Sequence, residues 1–238
     1  MIKFFRKIRQ NLIMENKTSK YFKYALGEII LVVIGILIAL SINNWNEDRK
    51  NEKYQQEILT LINQNLQNDS IALSKELYIS REANQLTDKL LKQVSSGNYG
   101  DSLNNWMGKI ISFERFKSQS SAFEILKAKG IDVITDKKLQ LELISYYDDN
   151  LYTVYEVFGD VEGAFEADWS NILKEDFLDY KWRGYAIPRD SKAFFEKKTT
   201  IPLFKLYKEN RSSGQPYLEV ALDKISKIRL LSKKYIDD

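Results

Sequence analysis

Between Leu26 and Ile42 the chain carries twelve Leu, Ile or Val residues, interrupted only by small residues and by Glu28. A helix over this run is apolar on every side and has no polar face to turn toward water. At about −0.3 to −0.6 kcal/mol each, these side chains supply roughly −4 to −7 kcal/mol toward membrane insertion. A carboxylate at the bilayer centre costs about 3 kcal/mol on the same kind of scale. Glu28, however, lies close behind Lys23, and at about 1.5 Å per residue it sits near the interface. Insertion wins, and a transmembrane helix is expected over 24–43.

The flanks set its expected orientation. Residues 1–23 hold seven basic residues against one acidic, a net +6, and the whole chain is +3, which leaves −3 for the remainder. The positive-inside rule then places the tail 1–23 in the cytoplasm and residues 44–238 outside, in the periplasm if the membrane is an inner membrane. Tyr21, Phe22, Tyr24 and Trp45 stand where interfacial aromatics belong. A cleaved secretory leader ending at Ala39-Leu40-Ser41 is the rival reading, with an unusually long charged region before its apolar core. The sequence pI of about 8.7 does not point to nucleic acid, because the excess basic charge is confined to the tail. Contact of that tail with anionic lipid is the simpler expectation.

The chain has no His and no Cys. Imidazole bases, Ser-His or Cys-His nucleophile activation, thiolate chemistry and disulfides are therefore excluded. The glycines are isolated and form no phosphate-binding loop, and no calcium-loop pattern occurs. No catalytic, cofactor or metal residue is assigned, and no cofactor is expected. A carboxylate-only Mg²⁺ or Ca²⁺ site and acid/base work by paired carboxylates both stay open. Asp148-Asp149 is the most site-like pair, although neighbours diverge by about 100° on a helix and a solvated face is the plainer reading.

Scarce Gly (10) and Pro (3) argue for long helices. Apolar residues at three- and four-residue steps predict one helix over 45–95, continuing the membrane helix outward as a stalk. A short helix is expected from residue 101 or 102. Ser121 and Glu124 have capping-box spacing for another that ends at Gly130 as an αL residue. The helix over 136–177 carries a heptad seam through Ile144, Leu151, Phe158, Phe165 and Ile172, joined by Tyr147, Val154 and Val161. Gly159 and Gly163 are expected to permit a close helix contact, with a kink as the alternative. Residues 178–190 read as a loop, followed by helices over 191–211 and 216–236. The predicted fold class is all-α: an N-terminal single transmembrane helix continuing into a long-helix antiparallel bundle.

The stretch GEIILVVIGILIALSINNWNE resembles the N-terminal signature of a family of single-pass membrane proteins of unknown function found in Bacteroidota. SAFEILKAKGIDVITDKKLQLELISYYDD resembles that family's second common block. The resemblance implies the single-pass topology and an inner-membrane location, and it implies no mechanism.

Two surfaces are candidates for binding. Gly27, Glu28, Gly35 and Ala39 mark a face of the membrane helix suited to self-association. Trp182, Arg183 and Tyr185, in the expected loop, form a candidate partner-binding surface, since these residue types dominate binding hot spots. The expected partners are membrane lipid, a second copy through the membrane helix, and an unidentified envelope protein. A non-enzymatic interaction or scaffold role is the first expectation. A small-molecule sensor domain and a carboxylate-based envelope hydrolase are the alternatives.

Overall fold

The computed structural model describes residues 18–236. The basic tail through residue 17 and the side chains of Tyr21 and Tyr24 lie outside the described residues. The chain divides into two compact units, one through Tyr54 and one from Gln55 onward. Of the chain, 83% is helical, so the all-α expectation holds apart from one small hairpin.

Helix α1 spans Thr18–Ser95. In the first unit its apolar run is uncovered, with Leu26, Leu31 and Ile38 all more than half exposed. Among the described residues this is the one helix long and apolar enough to cross a membrane. From Ile58 onward α1 is not a bare stalk. Ile58, Leu59, Ile62, Leu66, Leu73 and Leu90 are buried, so this part of the helix is a wall of the domain.

Helix α2 (Ser102–Ile111) follows, and then an extended stretch, 112–120, runs back along α1. Lys109, Glu114 and Gln119 meet Glu82, Lys75 and Asn68 in turn. Buried Asp69 fixes the lower end by accepting from the Gln119 amide (3.1 Å), the Tyr146 hydroxyl (2.9 Å) and Ser118. Helix α3 (Ser121–Lys129) forms without a side-chain cap, so the expected Ser121–Glu124 box is not made. Gly130 ends it at φ 117°, ψ 123°, a positive-φ conformation outside αL. A 3₁₀ turn, Ile131–Val133, leads to buried Ile134.

Asp136 caps the next helix by accepting from the amides of Lys138 and Leu139. The helical run then comprises α4 (Lys137–Ile144), a π segment (Ser145–Asn150), α5 (Leu151–Ala164), a second π segment (Phe165–Trp169) and α6 (Ser170–Asp176). The seam residues Tyr147, Leu151, Val154, Phe158 and Val161 are buried as the heptad spacing predicts. Phe165 and Ile172 are only partly buried, because the second π segment adds a residue to the turn and rotates the seam. It is Trp169 that enters the core, against Phe204 and Tyr207.

The expected loop is a β-hairpin, with β1 (Phe177–Lys181) pairing antiparallel to β2 (Tyr185–Pro188). The Gly184 amide closes its turn on the Lys181 carbonyl (2.8 Å). Aromatic and aliphatic residues on both sides of Trp182-Arg183-Gly184 are a hairpin signal that the loop reading passed over. Helix α7 (Ser191–Glu196) is followed by α8 (Thr200–Ile236). The two helices expected on either side of Pro216 are therefore one. Proline removes one donor from α8, but flanking contacts hold both halves on the same neighbours. Before the proline, Asn84 donates to Ser212, Gln215 to Ser80, and Gly214 rests on Val157; after it, Glu219 pairs with Arg81 of α1.

The pairings give the helix directions. Ser80, Asn84 and Asp88 meet Gln215, Ser212 and Lys208, so α8 runs antiparallel to α1. Asp136 and Glu142 pair with Lys234 and Lys224, so α8 is also antiparallel to the run from α4. The two short helices expected between α1 and the next long helix, α2 and α3, lie on the return path through 96–136.

Candidate functional site: an aromatic groove backed by a buried charged cluster

Trp182 stands at the tip of the hairpin, 42% exposed. Its ring lies edge-on to Phe113 (5.0 Å between centroids) and Phe165 (5.5 Å). With Glu114 and Arg115 these residues line a surface groove of about 480 Å³, a volume in the range of ligand and peptide sites. Three elements meet here: the extended return stretch, the second π segment and the hairpin turn. The Arg115 guanidinium is held by Glu162 (2.7 Å from Nε) and reaches over the Phe113 ring at 5.8 Å. The groove therefore offers an aromatic floor beside a positioned cation.

Arg183 does not extend into solvent as a loop arginine would. It adopts φ 57°, a left-handed conformation costing roughly 1–2 kcal/mol for a residue with a Cβ. Its amide donates to Ser112 Oγ (2.8 Å), and its guanidinium lies 2.9 Å from Glu114 in an ion pair without hydrogen-bond alignment. Tyr185 turns away from the groove and donates to Asp179 (2.7 Å). Of the candidate loop residues, Trp182 lines the groove, Arg183 braces its wall and Tyr185 serves the hairpin.

Behind the groove lies a cluster that the sequence reading did not single out. Glu76 of α1 and Arg211 of α8 are 8% and 1% exposed in their side chains and approach at 3.5 Å. Arg211 also donates to the carbonyls of Ile110 (3.4 Å) and Ser112 and lies over the Tyr207 ring. Glu76 Oε2 and Arg211 Nε have no hydrogen-bond partner. A cavity of about 10 Å³ adjoins them, lined by Glu76, Ser80, Glu114, Arg211 and the apolar Val157, Phe158, Val161 and Leu218. That is room for about one water. Burial pushes the Glu76 carboxyl up to about 7 despite the opposing pull of Arg211. Burial likewise raises the Tyr207 hydroxyl to about 12. A substrate for general acid/base cleavage does not fit between Glu76 and Glu114, so the cavity gives the hydrolase alternative no support. No spacing rule pairs residues so far apart in sequence; only the antiparallel register of α1 and α8 does.

The other sequence candidates lie apart. Asp148 is paired with Lys127 (2.9 Å) and Asp149 is exposed, the solvated face anticipated for them. Among the described residues no three His, Cys, Asp or Glu side chains gather to hold a metal. Gly27 and Gly35 have open space where a Cβ would stand, and so do Gly159 and Gly163. The close helix contact expected at Gly159 and Gly163 falls instead at Gly214, where a Cβ would meet Val157 at 2.4 Å.

A family model described as a family of unknown function, DUF6090, matches residues 28–154, more than half of the chain. This chain belongs to the DUF6090 family. The DUF6090 match runs from Glu28 in the apolar run into α5. It includes Glu76, Phe113, Glu114 and Arg115, while Trp182, Arg183 and Arg211 lie beyond it. The groove and the cluster are thus each assembled partly from the DUF6090 segment and partly from the remainder. No curated protein and no solved structure matches the chain.

Proposed function

We propose that this chain is a single-pass protein of an inner membrane, with residues 1–23 cytoplasmic and 44–238 periplasmic, acting as a non-enzymatic interaction or scaffold protein. The observation that carries the anchor is the uncovered apolar run from Leu26 to Ile42, which only hydrocarbon solvates without cost. The basic flank supports the orientation. Protease added to spheroplasts is expected to digest the domain from residue 44 onward and to leave a membrane-embedded N-terminal fragment. Full protection of that domain, or its recovery in the cytosol, overturns the topology.

The Trp182 groove supports the interaction role, since an exposed tryptophan with neighbouring aromatic and arginine groups is the composition of a binding hot spot. Its volume also favours a second reading, a small-molecule sensor. Self-association through Gly27, Glu28, Gly35 and Ala39 is a further part of the proposal, because the glycines leave the helix backbone open to close approach. Cross-linking in intact membranes separates these. Trp182→Ala is expected to reduce a heteromeric product about tenfold or more, and Gly35→Leu to reduce a homodimer several-fold. Unchanged products with both variants remove both surfaces from the proposal.

A further inference from the structure

The cluster behind the groove offers more than stability. Glu76 is held by α1 in an apolar setting made by Val157, Phe158 and Val161 of α5 and Leu218 of α8. The charged groups acting on it are Arg211 from α8, Arg183 from the hairpin turn, Glu114 from the return stretch and Lys75 from α1 itself, while α5 presents only apolar side chains to it. One carboxyl oxygen has only the distant Arg211 Nη1 and the other has no partner. Arg211 is meanwhile committed to the carbonyls of Ile110 and Ser112. Ser112 in turn receives the Arg183 amide and shares a 3.1 Å hydrogen bond with the Tyr180 hydroxyl. A continuous chain of polar contacts therefore runs from Glu76 to the turn that presents Trp182.

We propose that Glu76 is a proton-operated latch on the groove: neutral Glu76 keeps the hairpin turn and the return stretch closed over the cluster, and ionised Glu76 loosens them. An ionised carboxylate in this place is under-solvated, because the adjoining cavity admits about one water. Its shortest route to hydration is through the groove wall. Glu114 and Arg183 there are already about one-third exposed in their side chains, whereas the remaining walls are helix cores.

The direction follows from linkage. The Glu76 carboxyl lies at about 7 in the fold, against 4.5 as its reference. Its contribution to closure is therefore fully present below 4.5 and is lost as the pH rises through about 7. Because the chain contains no His and no Cys, no side-chain type in it has its ordinary value near 7. A pH response of this region near neutrality consequently reports Glu76.

The test is hydrogen–deuterium exchange of the full-length protein in detergent micelles, corrected for intrinsic exchange. Between roughly pH 6 and pH 8 the wild type is expected to lose about tenfold in protection over 110–116 and 177–188, the change that a shift from 4.5 to 7 allows. Segments 139–143 and 224–232, at the other end of the bundle, are expected to hold steady. Glu76→Gln, which stays neutral, is expected to abolish the pH response. Equal responses in the two proteins overturn the latch, and so does a loss of protection spread evenly over the domain. If Glu76→Gln does not fold, the infrared carbonyl band of a buried carboxylic acid decides in the wild type. Its disappearance with a midpoint near 7 supports the latch, and its absence already at pH 6 overturns it.

Discussion

Arg211→Met is expected to destabilise the domain by about 3–5 kcal/mol, the typical result of removing one partner of a buried pair. Arg211 is 1% exposed in its side chain and joins three elements at once. Methionine fills much of the space along Tyr207, so lost packing is the smaller part of the effect. The larger part is what remains behind: a buried Glu76 and the carbonyls of Ile110 and Ser112 with a missing donor. Protonation of Glu76 limits the loss, since neutralising the carboxyl is cheaper than burying its charge alone. The double variant Glu76→Leu with Arg211→Met is expected to recover half or more of it, because an apolar pair of similar volume carries no desolvation penalty. Urea unfolding of both single variants and the double variant closes the cycle. If Arg211→Met unfolds at the wild-type midpoint, the pair is not buried as described.

The second large effect sits at the groove's support. In α2, a Cβ added to Gly108 meets the backbone of the hairpin, 2.4 Å from the Tyr185 nitrogen and 2.7 Å from the Gly184 carbonyl carbon. Backbone cannot rotate aside as a flexible side chain would, so Gly108→Ala forces the strand away from the helix. A cost of about 1–3 kcal/mol is expected from overpacking. That outweighs the gain of up to about 1 kcal/mol from alanine's better helix propensity. The displacement lands on the turn that carries Trp182 and Arg183, so exchange protection over 177–188 is expected to fall while α8 stays protected. Gly159→Ala is the contrasting change. Its Cβ meets nothing within 4 Å, and a stabilisation of up to about 1 kcal/mol is expected. Thermal unfolding that moves both variants in the same direction contradicts the packing at one of the two sites.

What the sequence alone determined follows from short-range rules. The apolar run is legible because solvation depends on composition along one helix and needs no partner. The all-α class and the buried seam from Tyr147 to Val161 are legible because spacing fixes which side chains share a face. The features left to the tertiary structure all depend on pairings over long separations. Gly108 and Gly159 look alike in a helix, and only the position of the hairpin distinguishes them. Glu76 and Arg211 look like two solvated charges among many, until the register of α1 against α8 buries them together. The π segment at Phe165–Trp169 shows how the two levels meet. Heptad spacing points Phe165 inward, but one inserted residue hands the core to Trp169 and leaves Phe165 as a wall of the groove. Local periodicity says which residues avoid water, while the packing of distant elements decides which of them reach the interior and which are left to form a surface.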